Sequence, residues 1–136
     1  MPRTPLPPEL DAFLREPRAA VVGTVDPAGA PVTTACWYDW DGERFTLSMG
    51  ADSPRQRNLR HDPRVALTVL GEDWYEHVSL LGRAVEFRAD DKLSDIDALA
   101  QRYLGEPYED RSYRGVTVGA EAERWHIWGS PGGYSG

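Results

Sequence analysis

The stretch Asn58-Leu-Arg-His-Asp-Pro-Arg-Val65, within the longer run Ser53-Pro-Arg-Gln-Arg-Asn-Leu-Arg-His-Asp-Pro-Arg64, decides how the rest of the chain reads. It carries a complete helix start signal. Ser53 can cap the first turn with its hydroxyl, and Pro54 suits the first helical position, where a missing N–H costs nothing. Gln56 stands three residues after the cap and can close a capping box. Asp62-Pro63 stops the helix, because a residue before proline is pushed out of the helical region. The amides and dipole at the start of such a helix suit a phosphate.

Four arginines, Arg55, Arg57, Arg60 and Arg64, fall here in a chain of formal charge −7. Steps of about 100° per residue place Arg57, Arg60 and Arg64 on one face, a solvated one. Arg55 lies almost opposite, on the side of Asn58 and the apolar Leu59. An inward cation needs a partner. Either a carboxylate of the protein or a phosphate of a ligand would serve.

Outward from this helix, the chain reads as one domain of 136 residues, long enough for a proper core. Residues 1–17 form a proline-rich arm, mobile or extended, and a short helix carrying Leu10, Phe13 and Leu14. Residues 18–129 are the main domain. Residues 130–136, Ser-Pro-Gly-Gly-Tyr-Ser-Gly, read as a flexible tail. Ala19–Val25 is a continuous apolar run, expected to be a strand buried on both faces. Asp26-Pro-Ala-Gly29 is a type I turn. Pro31–Trp40 is the next strand, with Val32, Thr34, Cys36, Tyr38 and Trp40 facing one way. Asp41-Gly42 marks a hairpin into a third strand around Phe45, Leu47 and Met49. Gly50 allows a close or positive-φ backbone before the arginine helix.

Val65, Leu67 and Val69 alternate in a fourth strand. His77–Arg88 is a fifth, bulged near Gly82. Asp90–Gly105 is an amphipathic helix with Leu93, Ile96, Leu99, Ala100, Tyr103 and Leu104 on one side. Glu106–Gly119 is irregular and polar, and Glu121–Gly129 is the last strand. Six strands with short helices between them do not fit a doubly wound sheet. The expected fold is mainly β, a six-stranded antiparallel barrel.

The chemistry-bearing residues are sparse. Cys36 is the single cysteine, and His61, His77 and His126 stand at no metal-ligand spacing, so no metal site is expected. No nucleophilic triad, dinucleotide fingerprint or Walker-type loop is visible. A pI near 4.9 argues against nucleic acid held by bulk charge. No run is apolar enough to span a bilayer, nothing resembles a signal peptide, and a reducing, cytoplasmic setting fits.

In series, Val22-Gly-Thr-Val-Asp-Pro-Ala-Gly-Ala-Pro-Val-Thr33, Trp37-Tyr-Asp-Trp-Asp-Gly42, Asn58–Val65, Gly82-Arg-Ala84 and Arg124-Trp-His-Ile-Trp-Gly129 resemble the pyridoxamine-phosphate-oxidase-like split-barrel superfamily. The likeness is to its branch that binds the deazaflavin coenzyme F420. It implies a six-stranded split barrel, a homodimer with cofactor sites at its interface, and hydride transfer to a small-molecule substrate. It also implies cofactor contacts at Thr33, Thr34, Ala35 and Trp37 on the second strand, largely through backbone groups. Ser48, Met49 and Gly50 at the end of the third strand would meet the ribityl-phosphate portion. Ser53, Arg55, Arg57 and Asn58 on the arginine helix, and His77, complete the implied set. Arg55 matches the basic residue that reaches the cofactor phosphate. Pro54 stands where flavin-binding relatives often carry a second basic residue. Flavin mononucleotide (FMN) is the alternative cofactor, and a non-catalytic cofactor- or haem-binding barrel is the alternative of another class. The resemblance assigns no catalytic side chain.

Overall fold

A computed structural model describes residues 1–136. The elements in chain order are α1 (Pro8–Arg15), β1 (Ala20–Val25), β2 (Pro31–Cys36), β3 (Asp39–Trp40), β4 (Arg44–Gly50), α2 (Pro54–His61), β5 (Arg64–Leu70), β6 (His77–Ala89), α3 (Ser94–Leu104) and β7 (Gly115–Trp128). All seven strands pair antiparallel in one sheet, in the order β2-β1-β5-β6-β7-β4-β3. The two edge strands, β2 and β3, are separated in sequence only by Trp37 and Tyr38. The sheet therefore curls until its edges are bridged by the chain itself and not by a ladder. This is a split barrel.

The expected count of six strands becomes seven because Pro31–Trp40 breaks. Tyr38 is where it breaks. Its amide donates to Tyr103 Oη at 3.2 Å and its carbonyl accepts from Arg102 Nε at 2.9 Å. Two side chains of α3 thus replace the ladder bonds that a continuous strand would need. The alternation itself survives, since Tyr38 and Trp40 are buried.

One face of the sheet fills the core. Val22, Phe45, Leu47, Met49, Leu67, Val69, Leu80 and Val118 are essentially inaccessible and belong to one apolar cluster. α1 contributes Leu10, Phe13 and Leu14 to it, and α2 contributes Leu59. The expectation that β1 is buried on both faces is corrected. Its residues alternate between buried and half-buried, because no second layer of this chain covers the outer face. The bulge near Gly82 is present as a register shift against β7. A Cβ there would collide with the Glu121 carbonyl, so only glycine lets β7 pass.

Both termini are tied down: the arm takes the extended form, one of the two its sequence allowed, and the tail read as flexible folds back on the domain. The Thr4 amide donates to Glu123 O at 3.1 Å and its hydroxyl to Ala122 O at 3.1 Å, so the arm lies along β7. The tail makes a 3-10 turn at Pro131–Gly133, with Pro131 buried and Tyr134 edge-on to Trp125 at 6.0 Å. β7 begins at Gly115, earlier than expected, by pairing with the whole of β4. α3 begins at Ser94, later than expected. Leu93 adopts φ 62, and the Asp90 carboxylate accepts the Asp95 and Ile96 amides at 3.0 and 2.9 Å. No helix is long and apolar enough to cross a membrane.

Candidate functional site

The arginine helix forms as its sequence dictates. Ser53 Oγ accepts the Gln56 amide at 3.3 Å, and Asp62 ends the helix in an extended conformation. The capping box is only half made, because the Gln56 side chain reaches Ala51 O at 2.6 Å instead of returning to Ser53. Arg57, Arg60 and Arg64 are exposed. Arg57 donates to Asp52 O, Arg60 bonds Gln56 and lies 4.5 Å from the Phe87 ring centre, and Arg64 pairs with Asp62 at 2.6 Å. Arg55 is half-buried and takes part in no ion pair or hydrogen bond with the protein.

Arg55 opens onto a cavity of about 720 Å³. Its floor is Ala19 with the first residue of β1 (Ala20) and the end of β2 (Ala35, Cys36), continuing into Trp37. The end of β4 supplies Ser48 and Gly50. The opposite wall comes from α3 (Ile96, Leu99, Tyr103) and from Tyr108 and Tyr113 in the connection to β7. Arg55 is the one charged side chain in this lining. In a chain of formal charge −7, the cavity is locally positive and otherwise apolar or hydroxylic.

The aromatic wall is built deliberately. Trp37 stacks on Tyr103 with ring centres 5.3 Å apart and planes at 15°, and meets Tyr108 edge-on at 6.2 Å. Such a pair contributes about 0.5–1.5 kcal/mol beyond its buried area. Tyr103 is held by donating to Arg18 O at 2.7 Å and accepting from the Tyr38 amide. Arg102 anchors the same helix turn. Its guanidinium donates to the carbonyls of Tyr38, Arg15, Leu14 and Glu16 at 2.9, 2.5, 3.1 and 2.9 Å. Ile96 and Leu99 thereby stay off the main core and form a separate apolar group with Leu93, against which Trp37, Tyr108 and Tyr113 pack. Leu104, expected on the same side, is exposed.

Tyr113 faces the end of β4, and its Oη lies 2.9 Å from Ser48 Oγ. Burial raises its phenol above the ordinary value, partly offset by the Ser48 bond and the nearby charge of Arg55. Burial also pushes the Cys36 thiol up to about 11, with Arg55 pulling the other way. These groups are neutral near pH 7, so they can donate hydrogen bonds but carry no charge.

Of the residues singled out by sequence, the fold brings Ala35, Trp37, Ser48, Gly50 and Arg55 together. Others go elsewhere. Met49 is fully buried in the core, facing away from its neighbours Ser48 and Gly50. Asn58 is buried and donates to Thr24 Oγ1 at 3.1 Å, which docks α2 on β1. Arg57 points outward, and the Ser53 hydroxyl serves the helix cap. Thr34 is half-buried beside the floor, while Thr33 lines a different groove on the outer sheet face. His77 opens β6, opposite Leu70 and Trp128, with Nδ1 3.2 Å from Trp74 O. Gly50 keeps a negative φ, and a Cβ there would make an ordinary 3.8 Å contact, so no backbone constraint demands it. Cys36, Ile96, Leu99, Tyr103, Tyr108 and Tyr113 were absent from the named set, although the resemblance also implied that the 106–114 segment lines the open face of the site. Two tyrosines within the polar run 106–114 were the available signal.

A split barrel with a cationic, aromatic-walled cavity at the end of its second and fourth strands defines the class of cofactor-binding split-barrel proteins. The chain belongs to the pyridoxamine 5'-phosphate oxidase family, whose sequence pattern matches residues 6–129. Among solved structures it is similar to an F420 reductase, with 26% identity and a TM-score of 0.79, over 89% of this chain and 98% of that one. It is also similar to a conserved hypothetical protein of Mycobacterium tuberculosis, with 29% identity and a TM-score of 0.69, over 93% and 86%. The HupZ protein of Group A Streptococcus shares the fold at 19% identity and a TM-score of 0.65, over 90% and 94%. No curated protein matches the chain.

Proposed function

We propose that this protein is an oxidoreductase that passes a hydride between coenzyme F420 and a small organic acceptor. The observation that carries the reading is Arg55: a half-buried guanidinium, unpaired within the protein, and the one charge lining a cavity walled by aromatic rings. A half-buried cation with no partner in the protein suits an anion that the chain itself does not supply. A planar ring bearing an anionic tail satisfies both halves of the cavity. The likeness to an F420 reductase supports the deazaflavin over other ring systems.

The residues present fit that group. Arg55, at the start of α2, would hold its phosphate, and the backbone and side chains of Ala35 to Trp37 would lie along its ring. When bound, a deazaflavin supplies a hydride at its central ring carbon. The chain's part is then orientation and exclusion of water. Trp37, Tyr103 and Tyr108 form one rigid wall, and Ile96 and Leu99 keep it dry. No side chain is required as a nucleophile, which accounts for the absence of any triad or metal cluster.

Two copies of the chain form the working unit in this reading. Support comes from the outer sheet face, where Val21, Gly23, Ala66 and Thr68 are half-buried with no layer of this chain over them. Small residues there let a second sheet approach closely.

The test is titration of purified protein with F420, followed by quenching of the coenzyme's fluorescence. Saturable binding at micromolar concentration is expected. No binding at tens of micromolar sinks the deazaflavin reading, and a yellow protein with a flavin spectrum assigns FMN in its place.

A further inference from the structure

We propose that Tyr113 is an anion ligand of this cavity, acting with Arg55 and oriented by Ser48. For the ligand's identity the inference rests on the deazaflavin reading; for its charge it rests on the cavity alone.

The hydroxyl inventory points to it. Ser48 Oγ and Tyr113 Oη lie 2.9 Å apart, and neither makes another hydrogen bond to the protein. The pair holds two hydroxyl hydrogens, and their mutual bond uses one. One O–H is always left over, and both residues line the cavity with Arg55. A phenol is a stronger donor than an aliphatic alcohol. The favoured arrangement has Ser48 donating to Tyr113 Oη, with the phenol directing its own hydrogen at the bound anion. Donation by Ser48 strengthens donation by Tyr113, because linked hydrogen bonds polarise one another.

The position of Tyr113 is over-determined. Gly50 pairs with Gly115 across the β4–β7 ladder, which brings the end of the 105–114 connection over the end of β4. The Ala51 amide donates to Arg114 O at 2.9 Å and clamps the next residue. The Tyr113 ring occupies the space above Gly115, where a Cβ would sit 2.5 Å from it. On the other side it meets Tyr108 edge-on at 5.3 Å. The phenol is thus fixed before any ligand arrives, and a pre-oriented donor loses little entropy on binding.

The experiment compares two ligands that share a ring and differ in the anion: F420, and the ribityl deazaflavin that lacks its phosphodiester. Wild type, Tyr113→Phe and Ser48→Ala are titrated with both. Phenylalanine keeps the ring that packs on Gly115, so folding is preserved. We expect Tyr113→Phe to weaken F420 by roughly tenfold, as for a hydrogen bond to a charged group, and to leave the affinity for the ribityl deazaflavin unchanged. Ser48→Ala should cost less than Tyr113→Phe. Equal losses for both ligands, no loss for either, or a larger loss in Ser48→Ala overturns the assignment. If wild type binds neither deazaflavin, the cofactor reading fails and the anion question stays open to a direct probe. Inorganic phosphate is then titrated while the Arg55 Nε–H resonance is followed by NMR. Weaker phosphate-dependent shifts in Tyr113→Phe support the assignment, and curves identical to wild type overturn it.

Discussion

Asn58 donates from Nδ2 to Thr24 Oγ1 across 3.1 Å, with both side chains withdrawn from solvent. This bond joins the arginine helix to β1, whose first residue lies in the cavity floor, and so sets where Arg55 enters the cavity. Asn58→Ala leaves the Thr24 hydroxyl buried without its partner and opens a small void. The expected loss is about 1–3 kcal/mol of unfolding free energy, read from the urea midpoint at constant slope. The double variant with Thr24→Val should lose less than the two singles summed, since each single strands the other's polar group. Strict additivity would show that the two residues are not coupled.

The arginines of α2 divide by effect. Arg55→Ala removes a cation that no protein group balances, so its cost in stability should lie within about 0.5 kcal/mol of zero, while cofactor affinity falls by tenfold or more. Arg60→Ala removes contacts to Gln56 and the Phe87 ring. It should lower stability by about 0.5–1 kcal/mol and leave affinity within twofold. Thermal melts and fluorescence titrations on the same samples separate the two, and equal affinity losses would show that the inward placement of Arg55 has no bearing on the ligand.

That division was legible in the sequence because Ser53, Pro54 and Asp62 fix both ends of α2, and Leu59 fixes its rotation. Ser48 and Gly50 were marked as cofactor contacts by the family resemblance, and the fold brings both to the cavity beside Arg55. The aromatic wall was not. Trp37 and Tyr103 meet only because α3 folds back onto the break between β2 and β3, and nothing local to either residue records that. Tyr38 hid the break for the same reason: its alternation is that of a strand, and only the distant Tyr103 and Arg102 reveal that its backbone bonds go elsewhere. Asn58 entered the set through the family resemblance alone, and the fold gives its amide to a buried threonine on β1. Where the termini dock was not legible from composition, since proline- and glycine-rich sequence does not disclose that Thr4 bonds to β7 or that the turn at Gly132 packs on Glu9 and Phe13 of α1.

Gly115 is held open by a neighbour. A methyl there would meet the Tyr113 ring at 2.5 Å, so Gly115→Ala must push the ring away from Ser48 or shift β7. Overpacking of this kind costs about 1–3 kcal/mol. Phosphate-bearing ligands should weaken along with stability, whereas the conservative Tyr113→Phe should weaken them without it. A Gly115→Ala protein of wild-type stability would show that the ring relocates freely.

The thiol of Cys36 offers a probe of the cavity that needs no cofactor. Burial raises it to about 11, so at pH 8 its thiolate fraction should be roughly 200-fold below that of a free cysteine near 8.5. Iodoacetamide should therefore label it slowly, with a rate rising about tenfold per pH unit toward pH 11 while the fold holds. The same raised value has a stability sign. The unfolded thiol ionises first, so this group's contribution is fully present below about pH 8.5 and is lost as pH rises through about 11. Arg55 draws the thiol down, so Arg55→Ala should slow labelling further at every pH. Faster labelling in that variant would mean that the guanidinium shields Cys36 and does not act on it by charge. A wild-type rate at pH 8 matching free cysteine would place the thiol in open solvent.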